Sequence, residues 1–174
     1  MRSCAALLPA CRRRAETGTM VRPIFLRRAT AADQSQIMAL IRTVGINPMG
    51  IQWSRFIVAD ESGRIVGSGQ IKPHSDGSRE VASIAVAPEC QGMGIGSAIV
   101  ATLVAMEPAP LYLYCADYNE GYYRQFGFRA LAPADMPPSL RRIHAIAHAL
   151  SHVLTTVSGQ THRLVVMGRG QDQA

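Results

Sequence analysis

The chain has 174 residues, of which 48% are hydrophobic, enough for one domain with a substantial core. No apolar run approaches the ~20 residues that cross a bilayer, and the four cysteines, Cys4, Cys11, Cys90 and Cys115, show neither C-x-x-C spacing nor a secreted disulfide framework. Of the 18 basic residues behind the net charge of +6, seven lie in residues 1–28 against the single acid Glu16, leaving eleven basic and eleven acidic residues elsewhere, which excludes a general electrostatic footprint on nucleic acid for the rest of the chain.

Residues 1–22 are expected as a disordered N-terminal extension. Their short apolar run meets Arg12, Arg13 and Arg14 instead of a small-residue cleavage site, which makes a poor secretory signal; an organellar presequence and a functional start at Met20 are the alternatives. A reducing cytoplasm fits the cysteine usage. The domain is expected over residues 23–170, with a first strand at 24–28. Thr30 and Asp33 then resemble a capping box, and Ile37, Leu40, Ile41 and Val44 recur at helical spacing up to Gly45. After a break at 47–50, a short helical piece is expected at 51–55; its Trp53, the only tryptophan, is expected as a core plug, with an acceptor contact as the alternative. Residues 56–59 and 64–71 read as a hairpin, and the turn at 75–78 leads into a strand at 79–86.

That strand runs through a short turn into Gly92, Gly94 and Gly96, which open a helix expected over 94–106. Crowded N–H groups at a helix start lack intrahelical partners and, with the helix dipole, favour an anion. A P-loop is excluded because the only lysine, Lys72, precedes the glycines. A dinucleotide fingerprint is excluded because Ser97 stands where its third glycine belongs. What remains is Q-x-x-G-x-G, formed by Gln91, Gly94 and Gly96. It resembles the acetyl-CoA pyrophosphate loop of the GCN5-related N-acetyltransferase (GNAT) superfamily. A strand at 111–115 follows, then Asn119, Tyr122, Tyr123, Phe126, Gly127 and Phe128. This resembles the GNAT pattern N-x-x-x-x-F-Y-x-x-x-G-F, loosely at its start because Asn119 stands three residues before Tyr122, and at the family spacing in its second half. By themselves these aromatics read as the core side of a short amphipathic helix.

The resemblance implies three catalytic positions. Glu80, eleven residues before Gln91, matches the general base of histone-acetylating members; an exposed strand-end charge is the plain alternative. The Val86 N–H is implied as the donor to the developing oxyanion, and Tyr123 as the acid for the departing thiolate. Acyl transfer to an amine needs these functions: a base for the ammonium, a donor for the carbonyl oxygen and a proton for the leaving group. The implied acetyl-CoA contacts are Ile84, Ala85, Val86, Gln91, Gly92, Met93, Gly94, Ile95, Gly96, Asn119 and Tyr123. Cys90 and Cys115 lack a His-plus-carboxylate setting in the sequence and are expected as packing residues.

Residues 133–138 form a proline-rich loop, followed by an expected helix at 139–155 and a last strand at 162–167. His144, His148 and His152 share one face of that helix without an acidic ligand, so a solvated polar face is expected and no metal. The helix at 94–106 makes the crossover between the strands of Glu80 and Leu111, which places them parallel. The expected fold is mixed α/β: a single GNAT-like domain with a mostly antiparallel central sheet, one parallel splayed strand pair and flanking helices. The expected activity is acetyl transfer from acetyl-CoA to a primary amine of a small metabolite or peptide. The expected partners exclude nucleic acid and membrane, and the protein is expected as a monomer or homodimer. A non-catalytic acyl-CoA sensor or scaffold is the alternative.

Overall fold

The computed structural model describes residues 23–108, 110–146 and 163–170, and the backbone of 6–7. They fall into two compact units, Met1–Ile71 with Ala82–Met106, and Lys72–Val81 with Glu107–Ala174.

In the first unit the strands follow one another in the order β1 (Ala6–Leu7), β2 (Ile24–Arg28), β3 (Phe56–Glu61), β4 (Arg64–Pro73) and β5 (Arg79–Val86). The last residues of β4 and the first of β5 belong to the second unit. β2 and β3 pair antiparallel from Ile24 opposite Glu61 to Arg28 opposite Ile57, and β3 pairs antiparallel with β4 around an irregularity at Ala59 and Asp60. Helix α1 (Gln34–Thr43) buries Ile37, Leu40 and Ile41, the positions marked by the sequence period. The expected capping box is formed, with the Thr30 N–H donating to Asp33 Oδ2 at 2.7 Å. Asp33 also receives both terminal nitrogens of Arg27, at 2.7 and 2.9 Å. This hydrogen-bonded guanidinium holds the Asp33 carboxyl well below the usual carboxylate range, and the Thr30 N–H adds to the effect against the cost of burial.

Helix α2 (Ile95–Met106) buries Ile95, Ile99, Val100 and Leu103. It lies against β4 because β4 offers glycines there. A Cβ on Gly67 would stand 2.7 Å from Ile95 Cγ2, and one on Gly69 2.7 Å from Ile99 Cγ2. The start of α2, which carries the glycine loop, is therefore set by bare backbone underneath it. Trp53 corrects an expectation. It opens a one-turn 3-10 segment, Trp53–Arg55, and is 37% exposed, so it plugs no core; Phe56, three residues on, is the buried aromatic.

The second unit orders its strands as the start of β5, then β6 (Leu111–Ala116), β8 (Leu164–Arg169) and β7 (Arg129–Ala130). β5 and β6 pair parallel with Glu80 opposite Tyr112, as the crossover requires, whereas β6–β8 and β7–β8 are antiparallel. Helix α3 (Glu120–Arg124) follows β6, and a helix over 138–146, α4, precedes β8. Tyr112, Met136, Leu140 and Val166 form the buried cluster beneath α4, with Tyr114 and Leu131 packed on it. The last strand is centred two residues later than its sequence pattern suggests. His148 and His152 lie outside the described residues.

Candidate active site

In the first unit, β5 ends at Val86 and a 3-10 turn, Pro88–Cys90, carries the chain into the glycines. Gly92 and Gly94 have φ of +75° and +78°, the left-handed region that costs glycine least. The first α-helical bond of α2 runs from the Ala98 N–H to the Gly94 carbonyl at 3.0 Å. The amides of Ile95 and Gly96 therefore come before any i−4 acceptor in the helix, which makes a helix-start anion cradle. A Cβ on Gly92 or Gly94 would meet nothing within 4 Å, so the glycines are there for their backbone angles. The Gln91 side chain donates to the Val86 carbonyl at 3.2 Å, tying the loop to the strand end. The Ala87 N–H donates to the Val66 carbonyl of β4 at 2.9 Å. Since successive amides of an extended strand point to opposite edges, the Val86 N–H points away from β4. Ile84 and Val86 are half-buried and Ala85 is buried. Ser83 has φ +56°, an unusual value for a non-glycine inside a strand, and its hydroxyl accepts from Gln70 Nε2 at 3.1 Å.

In the second unit, Glu80 is 9% exposed, so it is no strand-end surface charge. Its Oε2 lies 2.7 Å from His74 Nε2. The turn between them is built by local bonds: the His74 N–H donates to the Ser78 carbonyl, the Gly77 N–H to the His74 carbonyl, and Ser78 donates to Asp76 Oδ1 through both N–H and hydroxyl. Asp76 Oδ2 accepts the Ser139 N–H at 2.8 Å, fixing this turn to the start of α4. The Ser78 hydroxyl, with the backbone donors of Ser139 and Ser78, holds the Asp76 carboxyl well below the usual range. Tyr114 donates to the Leu140 carbonyl at 2.8 Å. Burial raises its phenol, and the charges of Glu80 and Asp76 raise it further. Tyr112, Ser78 and Arg79 also line a cavity of about 330 Å³ whose walls include Pro137 and Pro138.

Tyr123 sits in α3 with its ring edge-on to Tyr122 at 4.9 Å and to Phe128 at 6.4 Å. Burial, then proximity to Tyr122 and Cys115, pushes its phenol above the ordinary tyrosine value, so it stays protonated across neutral pH. Phe128 is the fully buried aromatic of the group, while Tyr122 and Phe126 are only half-buried. Asn119 precedes α3, and its side chain makes no capping bond. Within this unit Glu80 and Tyr123 have separate partners, and no described hydrogen bond or ion pair joins them.

Residues 52–130 match the acetyltransferase (GNAT) domain family. That segment, a little under half of the chain, is similar to GNAT acetyltransferase domains. Mycothiol acetyltransferase of Rhodococcus opacus (strain B4) is 34% identical over 81 residues, 47% of this chain and 27% of that protein; the chain thus spans about a quarter of the length of this curated relative. Among solved structures, N-acetylglutamate synthase from Neisseria gonorrhoeae, complexed with coenzyme A and N-acetyl-glutamate, superposes with a TM-score of 0.65 at 19% identity, over 84% of this chain and 34% of that one. An acetyltransferase of the GNAT family from Staphylococcus aureus Mu50 gives 0.60 at 13% identity, over 84% and 98% of the two chains.

The contacts expected around the glycine loop lie on one continuous stretch, residues 84–96, from the end of β5 to the start of α2, but the sequence reading left out His74. The signal was available: once the turn at 75–78 is drawn, His74 and Glu80 stand on the two arms of one hairpin. Cys115 behaves as a packing residue, its Sγ 3.7 Å from Met167 Sδ and its thiol pushed up to about 11 by burial, with Glu120 and Asp117 adding to it. Cys90 is buried. No described helix is long and apolar enough to cross a membrane.

Proposed function

We propose that this protein transfers the acetyl group of acetyl-CoA to a primary amine of a small metabolite or peptide, by direct attack and without a covalent enzyme intermediate. The observation that carries the reading is the turn at 91–96, where two left-handed glycines set the Ile95 and Gly96 amides at the start of α2 and Gln91 anchors the loop to Val86. Such a cradle fits a pyrophosphate, and the Q-x-x-G-x-G spacing together with the match to GNAT acetyltransferases supports the pyrophosphate of CoA. The relatives' names support the same donor: coenzyme A is bound in the N-acetylglutamate synthase structure.

Bound acetyl-CoA supplies the thioester and its leaving sulfur. Glu80 takes the proton of the incoming ammonium; its burial and its carboxylate chemistry suit a base. The Val86 N–H donates to the carbonyl oxygen as negative charge develops there. Tyr123, held neutral, gives its proton to the departing sulfur. Ile84, Ala85, Met93 and Asn119 complete the donor contacts. The acceptor is chosen by the segments 47–53 and 133–142, which include the exposed Trp53. The domain spans 23–170, with 1–22 as an extension whose Ala6–Leu7 adds an edge strand to β2, and it works in the cytoplasm as a monomer or homodimer.

The test is a thiol-release screen of the full chain with acetyl-CoA against amino acids, polyamines, aminoglycosides and N-terminal peptides. Amine-dependent thiol release that vanishes in Glu80→Gln is expected. Saturable acetyl-CoA binding without release over the whole panel would favour the sensor reading instead.

A further inference from the structure

We propose that His74 is a positioning residue for Glu80: its Nε2–H donates to Glu80 Oε2, holds the carboxylate in its charged, accepting form, and leaves Oε1 to take the proton of the amine. This rests on the reading of Glu80 as the base.

The argument begins with burial. The Glu80 side chain is 11% exposed and the His74 side chain 7%, with 2.7 Å between their polar atoms. A carboxylate so far removed from water needs a donor, or it gives up its charge. An ionised carboxylate can only accept, so the proton between the two groups belongs to His74 Nε2. The other groups around Glu80 are committed or lie elsewhere on their elements. Tyr114 spends its hydroxyl hydrogen on the Leu140 carbonyl, and Asp76 is itself an acceptor, filled by Ser78 and Ser139. Tyr112 stands opposite Glu80 on β6. The other charged or titratable groups described on these elements within the second unit are Lys72 on β4, Arg79 on β5, which pairs with Glu107, Cys115 on β6, and Arg141, Arg142 and His144 on α4, where Arg141 donates to the Met136 carbonyl.

The turn that carries His74 is also held from outside the pair. The His74 backbone is fixed by bonds of 2.9 and 3.1 Å in the turn, and the turn is fastened to α4 through Asp76 and, between hydroxyls at 3.3 Å, through Ser75 and Ser139. His74 therefore presents its Nε2–H from a rigid hairpin, and ordering it at the moment of reaction costs little. In the step itself an N–H bond of the ammonium breaks and an O–H bond forms on Glu80. The amine lone pair is freed for attack, and Glu80, now neutral, continues to accept from Nε2–H. It returns the proton to water before the next cycle.

The experiment compares the full-length protein with His74→Phe, His74→Gln and Glu80→Gln. Carbon-13 NMR of labelled glutamate, with the Glu80 signal assigned through Glu80→Gln, follows its ionisation without needing an acceptor. The acidic limb of kcat/KM is measured on the amine giving the fastest thiol release. Losing a donor to the charged form disfavours that form. His74→Phe should therefore move both the NMR midpoint and the acidic limb upward by about one pH unit, with kcat at neutral pH lowered about tenfold and CoA affinity within twofold. His74→Gln, which keeps a donor, should restore most of the shift. An unmoved midpoint in His74→Phe, or equal shifts in Phe and Gln variants, overturns the proposal for His74 while leaving the base reading intact if Glu80→Gln is inactive. Full turnover in Glu80→Gln removes the base itself, and this proposal with it.

Discussion

The glycine loop of the first unit and the Glu80 pocket of the second do their work with different parts of the chain. The loop acts through backbone: Gly92 and Gly94 contribute angles, Ile95 and Gly96 contribute amides, and the side chain of Ile95 is turned into the core. The pocket acts through side chains gathered from a hairpin, a turn and a helix start, namely His74, Glu80, Asp76 and Ser139. A backbone site is set by a few consecutive residues and tolerates change wherever the dihedral angles survive. A side-chain site depends on partners distant in sequence and fails when one is removed. If the comparison holds, changes in the pocket should alter turnover and spare donor binding, and changes in the loop should do the reverse.

The largest effect is expected from Glu80→Gln. Removing a general base costs about 10²- to 10⁴-fold, so kcat should fall by about 10³ while the CoA affinity measured by calorimetry stays put. A variant that lost CoA binding along with turnover would break the division between the two regions.

Asp33→Ala comes next and touches neither region directly. It removes one of the two carboxylates that hold Arg27 in the first unit, the one on which both terminal guanidinium nitrogens and the Thr30 amide converge, and leaves Asp60 paired to Arg27 Nε at 2.9 Å. Losing these charge-assisted hydrogen bonds together with the cap costs about 3 kcal/mol, readable in urea unfolding. The pH sign follows from the direction of the shift: Asp33 is held below its unfolded value. Its contribution is thus complete above about pH 5 and is lost as the pH falls through about 4 toward the lowered folded value. In the variant that acid-side loss of stability should be smaller than in the parent.

Tyr123→Phe should lower kcat by about 10²-fold and leave CoA binding nearly intact. Because burial lifts this phenol, no alkaline limb attributable to its ionisation should enter the rate profile between pH 6 and about 10. The smallest expected effect is at Cys115. With its thiol pushed up to about 11, iodoacetamide at pH 8 should label it roughly a hundredfold more slowly than a free thiol, and blocking it should not be the route to inhibition.

The same contrast explains what could be read before the structure. The strand at 24–28, helix α1 and its capping box, and the whole of β5 follow from local pattern, because each is decided by neighbours within a turn or a pleat. The glycine loop was legible for the same reason, since the angles of Gly92 and Gly94 are local, although the seat of α2 on Gly67 and Gly69 of β4 is not. The parallel direction of the Glu80 and Leu111 strands followed from the crossover rule, whereas their register, Glu80 opposite Tyr112, did not. Trp53 was misread because a large aromatic is usually buried, and nothing local says that Phe56 takes the core position beside it. His74 was missed because its meaning depends on a partner six residues away across a turn, and on a fastening to Ser139, 63 residues further on from Asp76. Tertiary partnership of this kind leaves no period in a sequence.

The most direct test of the central claim, that the glycine loop holds the CoA pyrophosphate, is a calorimetric titration of CoA into the protein and into Gly94→Val. A β-branched residue cannot adopt φ near +78° without strain, so the Ile95 and Gly96 amides would leave the cradle. Saturable binding of one CoA per chain to the parent, weakened at least tenfold in Gly94→Val with the melting temperature little changed, is the expected result. Equal affinity in the two proteins, or no binding to the parent, would contradict it.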